Sequence, residues 1–335
     1  MEKIDFVILW VDGSDIEWLK EKNKYSKDKS DIYNSANRYR DWNILKYWFR
    51  GVEKYASWVN NIYFVTWGHI PKWLNIDNPK LKIVKHTDFI PSKYLPTFSS
   101  HTIELNLHRI KGLSEKFVYF NDDVFIVNPV KSTDYFRNDK PVSNFYESSL
   151  MPTYPNSFSK VCFNNTAILN NEFNKKEFYK KNFLKIINHK NGFKHSIQSL
   201  LMIPYPLFSG FGVFHGSSTM LKNTYNVLWD KYYDIFNNTC LNKFRNYDTD
   251  INQYIIKDYQ HLTGNFELKN NNFLKLLSVE KLKDLDLLNR YINNRKIKEI
   301  CINDDLDKEN NIDEYIKITQ KIFKEKLPNK SSFEK

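Results

Sequence analysis

The chain has 335 residues, 41% of them apolar and 16% aromatic, enough for a large single domain or two smaller ones with a sizeable core, and this argues against disorder. The formal charge is +11, from 50 Lys and Arg against 39 Asp and Glu, so anionic partners are expected: nucleotide phosphates, an anionic membrane surface or nucleic acid. Cys162, Cys240 and Cys301 form no CxxC pair, no window approaches the ~18 apolar residues of a membrane span, and residues 1–12 carry no basic segment before a long apolar one, so zinc-ribbon, thioredoxin, transmembrane and secretory readings lose support.

Ile4 to Val11 is a nearly continuous apolar run of strand length ending in the turn chemistry of Asp12-Gly13-Ser14-Asp15. Many nucleotide-binding α/β domains begin with such a buried strand and polar loop. Residues 20–37 lack periodicity and read as a mobile loop. Trp42, Leu45, Phe49, Val52 and Tyr55 recur at helical steps and predict a helix over 41–58. Just before it stand Arg38, Arg40 and Asp41; arginine suits bidentate phosphate contact, and equally a surface ion pair at a helix start. Strands are expected at 62–66 and 81–84, a helix at 101–113 and a strand at 116–121. Alternating strands and helices predict an α/β fold with a mainly parallel sheet. Residues 131–160 read as an insertion or lid. Helices are expected over 172–203, 219–236, 248–262 and 312–326, with exposed connections near 268–274 and 291–299.

The densest chemical signal is Asn121-Asp122-Asp123 between the apolar runs Phe117–Phe120 and Val124–Val127. A strand that stops at two carboxylates places hard oxygen ligands at a sheet edge, which suits Mg²⁺ or Mn²⁺ arriving with substrate phosphates; the same tripeptide is also a good turn. On the helix at 101–113, His101, Glu104 and His108 share one side and Ile103, Leu107 and Ile110 the other. With the apolar stripe on the sheet, the polar stripe should turn away from that packing layer, either solvated or toward the strand end, where Glu104 becomes a site candidate. Its spacing is not that of a zinc HExxH helix. His215, following the Phe211–Phe214 run and preceding Gly216, is a base candidate where the backbone can approach a ligand. Lys243 and Arg245 offer cations downstream. Cys301-Ile302-Asn303-Asp304-Asp305 is a second apolar-to-acidic strand end. The absence of GxGxxG, GxxxxGK[ST], GxSxG and HExxH argues against dinucleotide oxidoreductases, P-loop ATPases, serine hydrolases and zincins.

These pieces in this order resemble the four conserved blocks of the Stealth proteins, bacterial capsular and cell-wall polysaccharide phosphotransferases related to the animal N-acetylglucosamine-1-phosphotransferase α/β subunit. The first block resembles Ile4 to Asp15. The second runs from Asn37-Arg38-Tyr39-Arg40-Asp41 through Tyr55–Tyr63, Pro96–His101 and Leu107–Ile110 to Asn121-Asp122-Asp123. The third resembles His215 to about Gly264, including Arg245, and departs where family members often carry prolines after the histidine and this chain has Gly216-Ser217-Ser218. The fourth is Ile300 to Asp304, with Ser332-Phe333-Glu334 near the end. The resemblance covers roughly two thirds of the chain, least well over 131–205.

The resemblance implies a single catalytic domain over 1–335 with a Rossmann-like, GT-A-type nucleotide-sugar-binding sheet, flanking helices and a helical insertion. Residues 131–205 would set acceptor choice, and 300–335 would complete the site. The activity implied is transfer of hexose-1-phosphate from a UDP-sugar to a hydroxyl of a polysaccharide or lipid-linked glycan, releasing UMP. Asp122 and Asp123 would hold the metal–diphosphate, Arg245 and Arg38 would neutralise phosphate charge, and His215 would be the base, with Glu104 the alternative. Asp12, Gly13, Arg40, His101, His108, Asn303 and Asp304 would line the donor and sugar pocket. A conventional GT-A glycosyltransferase releasing UDP shares the same donor logic. A nucleic-acid binder is disfavoured, because carboxylate clusters repel phosphate and no recognition motif appears. The sparse, odd cysteine count fits a reducing compartment, so a cytoplasmic enzyme is expected, attached peripherally by its basic surface to the inner face of the bacterial plasma membrane.

Overall fold

The computed structural model describes residues 3–26, 40–151, 158–306 and 311–335. Strand β1 (Ile4–Leu9) is followed by α1 (Ile16–Tyr25), α2 (Leu45–Tyr55), β2 (Ile62–Thr66), β3 (Leu81–Lys85), the single-turn α3 (His86–Phe89), α4 (Ser100–Asn106), β4 (Lys116–Phe120) and β5 (Val124–Ile126). A hairpin of β6 (Phe136–Arg137) and β7 (Lys140–Ser143) leads to α5 (Phe158–Asn170), α6 (Lys175–Ile186) and α7 (Phe193–Met202). Then come β8 (Ser218–Leu221), α8 (Lys222–Lys231), α9 (Tyr233–Leu241) and α10 (Tyr254–Leu262). The chain ends with β9 (Glu267–Leu268), β10 (Leu274–Val279), α11 (Asp284–Asn293), β11 (Glu299–Asp304) and α12 (Ile312–Lys326).

The main sheet has the order β3-β2-β1-β4-β8, with the first four strands parallel and β8 antiparallel, so the α/β expectation holds with one reversed strand. Successive side chains of β1 alternate between two cores. Phe6 and Ile8 join α2, α11 and α12 on one face, while Val7 joins the cluster of α4 and α8–α10 on the other. Burial on both faces is why β1, β2 and β4 read as unbroken apolar runs. A second, three-stranded sheet, β10-β11-β5, sits beside the first, with β11 antiparallel to β5.

Several local expectations are corrected. Residues 20–25 of the expected 20–37 loop belong to helix α1, whose start the Asp15 carboxylate caps by accepting from the Trp18 amide. The rest of that expected loop, 27–37, lies outside the described residues, as do 152–157 of the expected insertion. The helix at 101–113 stops near 109, short of the left-handed Gly112. The start of 219–236 is strand β8, and 248–262 is helical only from Tyr254. The Lys-Asn stretch 268–274 is exposed only in part: Asn270 and Asn272 are, but Leu268 pairs in β9 and Lys269 is buried against the Tyr135 and Phe273 rings.

The C-terminal tail is fastened to α2 by a buried ion pair. Arg50 Nη2 lies 2.7 Å from Glu334 Oε2, and Arg50 Nη1 also donates to the Leu327 carbonyl. Burial alone would raise the Glu334 carboxyl, but the Arg50 and Ser331 hydrogen bonds outweigh it and hold the group below its ordinary value. A depressed carboxyl contributes stability above the ordinary carboxylate range, and that contribution is lost as pH falls through the folded value. Arg50→Ala should therefore cost about 3 kcal/mol at neutral pH, near the low end for breaking a buried pair because this one lies just beneath the surface. Denaturant titration would show it, with the deficit shrinking in acid; an unchanged midpoint would refute the role.

Candidate active site

Strand β4 ends at Phe120, the chain turns through Asn121, Asp122 and Asp123, and β5 then enters the second sheet. The pair of carboxylates therefore sits where the chain crosses between sheets, outside the carboxyl ends of the parallel strands, where open α/β sheets bind ligands. The Ile302 amide donates to the Asp123 carbonyl at 2.9 Å, and Cys301 pairs with Val124. The two acidic strand ends, 180 residues apart in sequence, thus meet.

Asp123, His215 and Cys301 gather with their ligand atoms within 4.8 Å of one another. His215 Nε2 lies 3.2 Å from Asp123 Oδ2. Burial would lower the imidazole, but the hydrogen bond and charge of Asp123 outweigh it, with Glu104 adding and Arg245 opposing, so His215 is held above its ordinary value. Asp123 Oδ1 is buried with no hydrogen-bond partner. Asp122 is exposed on one side and crowded by protein on the others. That crowding first, then the Asp123 and Asp41 carboxylates, push it up to about 7. Asp41 is itself raised, by burial and then by Asp12.

An orphaned carboxylate oxygen among repelling carboxylates is costly unless a cation answers it. Asp123 and Asp122 supply hard oxygens, so the residues fit Mg²⁺ or Mn²⁺. Cys301 beside them is a soft donor, of a kind that Mg²⁺ and Mn²⁺ do not favour. Burial, then the charge and hydrogen bond of Asp123, push the Cys301 thiol above its ordinary range. The cysteines are all buried and free.

The glycines around His215 also serve packing. A Cβ at Gly212 would enter the Tyr146 ring, and one at Gly216 would enter Leu274. These close contacts fix the loop that carries the histidine. Glu104 is buried, with Oε1 accepting from the Tyr119 hydroxyl at 3.2 Å and Oε2 from the Gln253 amide at 3.4 Å. The polar stripe of α4 is therefore packed, not turned outward, because α8–α10 cover it. His108 stacks on Tyr225 and, by burial and then the Arg109 charge, is pushed down to about 3. His101 Nδ1 meets Asp250 Oδ2 at 2.9 Å, and Asp250 also accepts from Asn242 and the Asn246 amide. His101 thus fixes the loop bearing Arg245, whose Nη2 donates to Ser100 Oγ.

Asp12 and Gly13 lie half-buried in the turn after β1, and the Asp12 amide donates to His69 Nε2 at 2.8 Å. Arg40 and Asp304 pair with each other at 2.9 Å, and Trp42 Nε1 also donates to Asp304. Asn303 donates to Asp305. Arg38 lies outside the described residues. Sequence reasoning omitted Asp41, His69 and Cys301 from the site. Asp41 was signalled by its place beside Arg40 and Cys301 by its place in the second acidic strand end, while nothing near His69 marks it.

Family models for the Stealth protein conserved regions 1 and 2 match residues 2–30 and 38–144. The chain is 43% identical to the capsular polysaccharide phosphotransferase WcwK of Streptococcus pneumoniae, over 100% of this chain and 99% of that one. It is 38% identical to the exopolysaccharide phosphotransferase cps2G of Lactiplantibacillus plantarum, over 99% and 96%. It is 37% identical to the receptor polysaccharide phosphotransferase WefC of Streptococcus oralis, over the full length of both. Against the galactosyltransferase LgtC the structure has a TM-score of 0.37 at 9% identity over 95% of each chain, too distant to support an argument.

Proposed function

The chain belongs to the Stealth family of capsular and exopolysaccharide phosphotransferases, and from that premise we propose that it transfers hexose-1-phosphate from a UDP-sugar, such as UDP-N-acetylglucosamine, to a hydroxyl of an acceptor glycan. The acceptor oxygen attacks the β-phosphorus, the bond from that phosphorus to the oxygen bridging the α-phosphate breaks, UMP leaves, and a phosphodiester joins the two sugars. The observation that carries the proposal is the split of one carboxylate: Asp123 Oδ2 on His215, Asp123 Oδ1 buried and unpartnered beside Asp122.

His215 takes the hydroxyl proton, and the Asp123 charge stabilises the resulting imidazolium, as in other carboxylate–histidine pairs. Arg245, close enough to oppose the His215 charge, faces the negative charge spreading over the phosphoryl oxygens, a role shared with Arg38. A divalent ion held by Asp123 and Asp122 would neutralise diphosphate charge. Asp12 and Gly13 line the nucleotide end. Asn303 and the Arg40–Asp304 pair bound the sugar end, so that 300–335 completes the site. Acceptor choice falls to 131–205, most of which lies beyond the conserved-region match that ends at 144.

A conventional glycosyltransferase would bind the same donor and release UDP. The deciding experiment supplies Mg²⁺, a panel of UDP-sugars and a cell-derived glycan pool, and resolves the nucleotide formed. UMP appearing only with acceptor is expected; UDP as the product would overturn the proposed bond cleavage.

A further inference from the structure

Helix α7 has its apolar face outward. Ser199 is its one buried residue, while Phe193, Ile197, Leu200 and Leu201 are exposed at steps of four, seven and eight, a single helical face. Beside it, the end of α6 exposes Phe183 and Leu184. The two helices are tied as a hairpin by Ser196 Oγ donating to the Ile186 carbonyl and Asn191 Nδ2 to the Lys185 carbonyl. Phe193 is 83% exposed, Leu184 79% and Leu201 64%. Soluble proteins scatter single apolar residues over their surface, but a continuous stripe of this kind marks a face built for something less polar than water.

The charge around the stripe says what that is. Residues 174–207 contain seven lysines and one glutamate. Lys175 is spent on Glu147, and Lys185 on the Gly264 and Phe266 carbonyls. Lys176, Lys180, Lys181, Lys190 and Lys194 form no ion pair among the described residues. An apolar stripe flanked by unpaired lysines matches the boundary between acyl chains and anionic headgroups. A second copy fits poorly, because a two-fold interface would set the same lysines against each other. No helix among the described residues is long and apolar enough to cross a membrane.

We propose that the α6–α7 hairpin docks the protein onto an anionic lipid bilayer, with the α7 stripe entering the headgroup–acyl boundary and the lysines on lipid phosphates. The hairpin also touches the active-site loop. His195 of α7 stacks on Tyr146 at 4.1 Å between ring centres, and Phe214, the residue before His215, packs edge-on against both. Docking would therefore hold the His215 loop near the membrane surface, where a lipid-linked acceptor would present its sugar.

The test uses the full chain and vesicle co-sedimentation with neither donor nor acceptor present, so its result is independent of the proposed reaction. Binding to phosphatidylglycerol–phosphatidylcholine vesicles is expected at low salt, with much weaker binding to phosphatidylcholine alone. The triple variant Leu184→Ser, Phe193→Ser, Leu201→Ser should bind at least about tenfold more weakly. Lys180→Glu with Lys181→Glu and Lys194→Glu should abolish the preference for anionic lipid. All these side chains are exposed, so melting temperatures should match the parent. No vesicle binding by the parent, or equal binding by the serine variant, overturns the proposal. So does a dimer that the serine variant dissolves while vesicle binding persists, since the face would then lie between copies.

Discussion

Asp123→Asn should lower kcat/KM by about 10³-fold or more, some 4 kcal/mol of transition-state stabilisation. The substitution keeps the shape of the side chain and removes only its charge. That charge has two dependents: the imidazole on Oδ2 and the cation that the orphaned Oδ1 fits. An amide can serve neither well, since one of its two heads is a donor where the site needs an acceptor. Mn²⁺ affinity, read by calorimetry or electron paramagnetic resonance, should fall together with turnover. The melting temperature should not fall, because removing one carboxylate relieves its repulsion of Asp122. Cys301→Ser is the companion control: a soft thiol that a hard cation does not favour can become a hydroxyl with little change in Mn²⁺ affinity. If Cys301→Ser abolished metal binding, the ligand set would be Asp123, His215 and Cys301, and the hard-oxygen reading would fail. An Asp123→Asn enzyme with full turnover would remove the carboxylate from the mechanism altogether.

Much of this site was legible because buried parallel strands are continuous apolar runs that must end in something polar. Ile4–Leu9, Lys116–Phe120 and Glu299–Asp304 announced both their own existence and the edge where chemistry gathers. Their convergence was not legible. It depends on β11 pairing antiparallel to β5, a register set across the long separation between Val124 and Cys301. The α4 stripe was misread for a related reason. Helical spacing correctly put His101, Glu104 and His108 on one side, but spacing does not reveal what covers that side. Tyr225 of α8, Asp250 and the Gln253 amide do, and they convert an outward polar face into a buried network. The lysine-rich composition was visible from the start, yet only the burial of Lys175 and Lys185 separates the structural lysines from those left facing solvent beside the α7 stripe.

His215→Ala should lower kcat by about 10²- to 10⁴-fold, the span expected for losing a general base, while donor affinity measured by calorimetry stays within about threefold. The ring is held in place before substrate arrives. Tyr146 and Leu274 close the glycine positions on either side of it, Asp123 orients Nε2, and a third of the side chain remains open to solvent. Glu104 is the natural competitor, because it lies close enough to raise the His215 imidazole. Its own geometry argues otherwise: it is buried, and each oxygen already accepts a hydrogen bond, from Tyr119 and from the Gln253 amide. Glu104→Gln should therefore act mainly on stability, by about 1–3 kcal/mol, since the amide must present a donor to one of those partners. The pair of variants separates the two assignments. A split in which Glu104→Gln loses turnover without loss of stability while His215→Ala keeps it would transfer the base to Glu104, leaving His215 as a cation held by Asp123 against the phosphates. The opposite split is the expected one, because a base must reach the hydroxyl it deprotonates, and His215 alone of the two is open to solvent.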